Sequence, residues 1–197
     1  DAIAWFANQM IVLGDELVVA KSYDAALAIY RAVPVRSQIL EIQARALEVM
    51  RKDLAILERT VKAEETKPLN QHTNASELLN ALKPAIELAE SAMKTIKENT
   101  DLDAALLMRR GRSLYYLDRY EEALLCFRTL RTKYAAAPDA QHAAYAEIVI
   151  YNKLKNTTEI KDKCDQFLRK YPDAENAEEV ATLVGEVLVE SENWKDV

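Results

Sequence analysis

The chain has 197 residues, 50% of them hydrophobic and 29% charged, with only 3 Gly and 5 Pro. That apolar content excludes a disordered chain, and the shortage of turn formers excludes an all-β one, leaving an all-helical class. The excess of 32 acidic over 26 basic residues, a net charge of −6, disfavours nucleic acid as a partner, because phosphate recognition needs a basic surface.

The first predicted helix carries Ile3, Phe6, Met10, Leu13 and Leu17 at helical spacing; Lys21 to Asp24 turns the chain, and Ala25 to Val33 returns. Pro34 ends this hairpin, and Ser37 reads as the N-cap of the next helix. From Ser37 to Lys67 there is no Gly or Pro, and Leu40, Leu47, Met50, Leu54, Leu57 and Val61 continue the apolar pattern, which predicts one helix of about eight turns. A polar loop, Pro68 to Asn74, precedes a helix over 76–99, which Pro84 should kink or restart.

From Asp101 the hairpins become regular. A helix capped by Asp101 or Thr100 runs to about Leu117, and Arg119 to Tyr134 is its partner. Pro138-Asp139 opens the next hairpin, Lys153 to Thr157 turns it, and Ile160 to Tyr171 returns. Pro172-Asp173 should begin the last helix, through Val189, and Trp194 a further one. An exposed apolar edge is expected at Val184, Leu188 and Trp194.

A spacing repeats through these elements. Gly111, Tyr120, Ala123, Phe127 and Leu130 are matched at identical intervals by Gly14, Tyr23, Ala26, Tyr30 and Val33, and in part by Gly185 and Trp194. Small residues at Gly111 and Ala123 let two antiparallel helices approach, while Tyr120 and Phe127 fill the space beside them. A lone hairpin cannot bury both faces, so such units stack into a solenoid. Tyr134 and Tyr171 stand 37 residues apart and Gly111 and Gly185 twice that, whereas Gly14 and Gly111 stand 97 apart, which is no multiple of 37.

The pattern resembles the tetratricopeptide repeat, Trp-x2-Leu-Gly-x2-Tyr, then Ala-x3-Phe, then Pro, over a ~34-residue unit. It is carried by Leu107-x2-Arg110-Gly111-x2-Leu114 and Ala123-x3-Phe127, with Ala135 at the proline position, and by Met10, Leu13-Gly14, Leu17 and Ala26-x3-Tyr30. A degenerate copy has Ala144, Ile148, Tyr151, Ile160, Cys164 and Pro172. The resemblance implies a right-handed α-solenoid of antiparallel hairpins, about nine helices with one elongated central hairpin. It would be a single domain over 1–197, divided into 1–35, 36–100, 101–137, 138–173 and 174–197, the last truncated. Lacking an initial Met and stopping within a repeat, the chain reads as a piece of a longer protein.

No catalytic constellation is visible. His72 and His142 fall in a loop and on a separate helix, and there is no Gly-rich phosphate loop, His-x-Glu or Cys-x2-Cys pair, so no enzyme activity, metal or cofactor is expected. Cys126 and Cys164 read as small buried residues. The pairs Glu64-Glu65, Glu121-Glu122 and Glu178-Glu179 point roughly 100° apart on a helix and cannot face one substrate; the last two favour the helix dipole.

The resemblance places function in a concave groove lined by the first helix of each hairpin. Its positions are Met108, Arg109, Arg112, Tyr115 and Tyr116, then His142, Tyr145, Val149 and Asn152, with Asn8, Ile11, Asp15 and Val18 in the first repeat. The family's Lys and Asn clamp for a peptide carboxylate is replaced here by Met108, Tyr145 and Ile11, so that activity is not expected. Arg109, Arg110 and Arg112 beside Tyr115 and Tyr116 have hot-spot composition and suggest an acidic or extended partner segment; the alternative is a solvated arginine face with tyrosines packing between repeats.

The implied function is non-catalytic protein–protein interaction or scaffolding. The alternative is an assembly segment of a larger cell-envelope protein, docking or self-associating through the C-terminal edge or the long arm from Ser37 to Asn99. No run approaches the ~18 apolar residues needed to span a bilayer. Lys133-Tyr134 and Lys170-Tyr171-Pro172-Asp173, which close successive units, are similar to repeats of bacterial periplasmic factors of outer-membrane assembly and of the Tol-Pal machinery. That similarity implies a periplasmic or envelope location, with the cytoplasm as the alternative.

Overall fold

The long apolar-periodic stretches fold as helices. A computed structural model describes residues 2–66, 68, 71–98 and 101–190. It contains α1 (Ala2–Val19), α2 (Tyr23–Ala32), α3 (Arg36–Glu64), α4 (Ala75–Glu98), α5 (Asp101–Tyr116), α6 (Tyr120–Lys133), α7 (Ala140–Lys153), α8 (Thr157–Lys170) and α9 (Ala177–Glu190). No strand occurs among the described residues. None of their helices is long and apolar enough to cross a membrane.

Local chemistry accounts for three departures from the expected boundaries. Helix α3 starts one residue before Ser37: Val35 takes the cap position, and its N–H donates to Gln38 Oε1 at 3.0 Å. Helix α4 runs unbroken through Pro84. The missing proline N–H leaves one carbonyl without its helical donor, yet the seam of Leu79, Leu82, Ile86, Ala89 and Met93 lies along α3 on both sides of it. Helix α9 starts at Ala177, not at Pro172-Asp173, because two tight turns come first, with Ala174 N–H on the Tyr171 carbonyl and Ala177 N–H on the Ala174 carbonyl. The same two turns join α6 to α7, from Ala137 to Tyr134 and from Ala140 to Ala137.

Contacts divide the chain into two units, Asp1–Gln9 with Pro34–Thr100, and Met10–Val33 with Asp101–Val197. In the first, α3 and α4 pack antiparallel over Ile39, Leu47 and Ile86. Arg51 pairs with Glu90 at 2.5 Å and Lys83 with Glu58 at 3.5 Å. At the loop end the buried Glu64 accepts from the N–H and hydroxyl of Thr73, at 2.9 and 2.7 Å.

In the second unit each helix packs on the next, α2 on α5, then α5 on α6, α6 on α7, α7 on α8 and α8 on α9. The core runs through Leu27, Leu114, Phe127, Ile148, Ile160, Phe167 and Val180. Helix α5 sits directly on α2 although 68 residues separate them in the chain.

The repeat is also legible in the backbone. Lys21, Asp118 and Lys155 have φ of 58°, 56° and 53°, and they fall at equivalent repeat positions. At each, the next residue donates to a carbonyl five positions back, Ser22 to Leu17, Arg119 to Leu114 and Asn156 to Tyr151, which is the Schellman way of ending a helix. The glycine-to-aromatic packing recurs as well. A Cβ on Gly14 would stand 2.3 Å from the Tyr30 ring, and one on Gly111 2.5 Å from Phe127. In the degenerate repeat the same two positions are Ile148 and Cys164, both buried, so bulk has moved from one helix to the other.

Before Gly185 there is open space. Trp194 lies outside the described residues. Leu188 is buried and Val184 partly buried, because α9 packs on α8, so the exposed edge expected there is not found at these two positions.

Candidate functional site

The α5 face that carries Met108, Arg112, Tyr115 and Tyr116 follows helical spacing, and so does the α7 face with His142, Tyr145, Ala146 and Val149. Together they line one cleft of about 450 Å³, with Phe127 of α6 as part of its floor and Asp139 and Asn176 from the turns before α7 and α9. Most of this lining is apolar and aromatic. Tyr116 stacks on Tyr23 with ring centroids 4.5 Å apart, and Tyr115 meets Tyr116 edge-on at 5.5 Å and Tyr120 at 5.7 Å.

A second cleft of about 710 Å³ adjoins the first through shared Tyr145 and Val149. Ile148, Val180 and Leu183 give it an apolar floor, and Asn152, Glu175, Glu178, Glu179 and Glu186 its polar rim. Burial and the neighbouring Glu179 carboxylate, which accepts its hydroxyl, push the Tyr145 phenol up to about 12, so it remains a donor throughout the neutral range.

Seven of the expected groove residues therefore share one cleft: Met108, Arg112, Tyr115, Tyr116, His142, Tyr145 and Val149. Asn152 lines the second. Arg109 does not line either. Its Nε and Nη2 hold the Asp15 carboxylate at 2.8 and 3.0 Å, and Tyr30 donates to the same carboxylate at 2.5 Å. Arg110 donates from Nε and Nη2 to the Tyr30 carbonyl at 3.1 and 2.7 Å.

The expected patch of three arginines is thus divided: two tie α5 to the first hairpin, and Arg112 alone among them reaches the cleft. Adjacent residues point about 100° apart, so a run of arginines cannot share one face.

The acidic rim was missed, since Glu178 and Glu179 read only as first-turn residues of α9, where they do stand. The signal was the 37-residue period: His142, Tyr145 and Val149 advance to Glu179, Thr182 and Glu186, all on the second cleft. Among the described residues no group of three His, Cys, Asp or Glu could hold a metal ion. Cys164 is buried, its thiol pushed up to about 12 by burial and by Asp165, and Cys126 is half-buried; both are free.

No protein-family model, curated protein or solved structure matches this chain.

Proposed function

We propose that this chain is a tetratricopeptide-like module, a right-handed solenoid of helix hairpins, that binds a protein partner through the α5–α7–α9 groove without catalysing a reaction. The observation that carries the reading is the continuity of the two clefts: an apolar floor from Met108 to Leu183, with a rim that, among the described residues, holds Asp139 and four glutamates against a single arginine, Arg112. An apolar groove edged by one sign of charge favours an extended or helical segment with aliphatic or aromatic anchors and Lys or Arg between them. This reverses the acidic partner expected from the arginine-rich sequence.

Panning a random peptide library on the immobilised chain tests the proposal. Enriched peptides should be cationic with apolar anchors, and Tyr145→Ala with Glu179→Lys should weaken them by tenfold or more at unchanged helicity. Arg169→Glu, remote from both clefts, should leave them bound. Acidic consensus peptides, or binding indifferent to the groove variant, would overturn it.

A further inference from the structure

The α3–α4 hairpin buries one side of each helix and leaves another apolar seam uncovered. Ile42, Val49 and Ile56 on α3 are 48, 56 and 59% exposed, and Leu78 and Leu88 on α4 are 47 and 74% exposed. The first three recur at heptad spacing. On α4 the intervening seam positions are Ala81, Ala85 and Ala92, small enough for another helix to approach closely.

Both seams lie one residue before the packed ones, 42, 49 and 56 before 43, 50 and 57, and 78, 85 and 88 before 79, 86 and 89. One residue back is a rotation of about 100°. Because the helices are antiparallel, as the Arg51–Glu90 and Lys83–Glu58 pairs show, the two rotations bring both seams to the same side of the hairpin. The result is one face on which two apolar seams run side by side, with Asp53 between Val49 and Ile56 the charged residue inside it. With α4 at 24 residues it is about 36 Å long, and two helices make it about 20 Å wide. That is roughly 700 Å² per copy, close to the ~800 Å² per partner of a standard stable interface.

Charge selects the occupant. Beside the exposed α3 seam, on its outer flank, stands a basic row, Arg45, Lys52 and Arg59; the corresponding α4 flank carries Glu77 and Glu98 around Pro84 and Ser91. Arg45 and Lys52 pair with Glu41 and Glu48 only along their own helix, at exposed sites where such contacts are weak and exchangeable. We propose that this face packs on the same face of a second copy to form a four-helix bundle, with α3 of each copy over α4 of the other. In that arrangement Arg45 lies near the level of Glu98 and Arg59 on the side of Glu77, while Lys52 faces the uncharged Pro84 and Ser91. Stacking α3 on α3 would bring two basic rows together.

Sedimentation velocity on the 197-residue chain should show a dimer at micromolar concentration, and Val49→Glu with Leu88→Glu should weaken it by more than tenfold at unchanged helicity. Charge exchange then tests the arrangement. Arg45→Glu/Lys52→Glu/Arg59→Glu alone and Glu77→Lys/Glu98→Lys alone should each lose the dimer, and an equimolar mixture of the two variants should restore it as a heterodimer. A monomeric parent, a dimer indifferent to the seam variant, or a Glu77→Lys/Glu98→Lys variant that still self-associates would overturn the proposal. The first outcome assigns the face to another molecule, the second places the interface elsewhere, and the third selects α3 over α3.

Discussion

Asp15 shows how a single carboxylate can decide what its neighbours are free to do. Burial alone would push its carboxyl up, but hydrogen bonds from Arg109 and Tyr30 and the nearby arginine charges hold it below the ordinary carboxylate value. A depressed native value contributes stability that is present above the unfolded pKa of about 4 and is lost as pH falls through the native one. Since the pair is part-exposed, its worth is about 1 kcal/mol or less. Thermal melts of the parent and Asp15→Asn should therefore differ at pH 7 and converge as pH falls below the ordinary carboxylate range; a difference that persists unchanged in acid would mean that the carboxylate is not its source. Arg109 and Asp15 lie 94 residues apart, so the local helical pattern that put Arg109 on α5 could not reveal which side of α5 the first hairpin would occupy.

At the scale of the helix, the glycines divide by what faces them. Gly14 and Gly111 are needed because a ring already fills the space a methyl would take, whereas Gly185 faces none. Gly111→Ala should cost about 1–3 kcal/mol in urea denaturation, partly recovered by Phe127→Leu. Gly185→Ala should instead stabilise α9 by up to about 1 kcal/mol, because Ala is the better helix former and meets no obstruction. Equal effects at the two sites would show that helix propensity, not ring contact, governs both.

The hairpins and their small-to-aromatic crossings were legible because they depend on spacing within about 20 residues. Element ends were less so: Pro172 marks where α8 stops, but the start of α9 depends on two turns whose bonds are backbone to backbone and carry no side-chain signature.

Across the whole chain, the 97-residue interval that broke the period has a plain origin. It exceeds one 37-residue period by 60, close to the span of the α3–α4 hairpin with its loop, and the second unit continues from α2 to α5 as though those residues were a connection. The sequence marked the hairpin as irregular; only the contact between α2 and α5 shows that the repeat resumes on its far side. The groove was legible to the extent that helical spacing and one repeat step predict it, and its sign was not, because charge counted along the chain does not tell which arginines are already engaged.

That connection bears on the order in which the second unit comes apart. Other neighbouring helices from α5 onward are joined by three to six residues, but α2 and α5 by 68. Until α3 and α4 have paired, closing the longer loop carries an extra entropic cost of about 2 kcal/mol. In a stack where each helix contacts chiefly the next, the weakest junction opens independently of the rest. Amide protons of α2 should accordingly exchange through openings less costly than those of α6 to α8, by up to roughly 2 kcal/mol where the opening also separates α3 from α4. Splicing the Tyr134–Asp139 connection in place of residues 33–100 should bring the two sets level, making the first hairpin a permanent member of a stack it otherwise joins last.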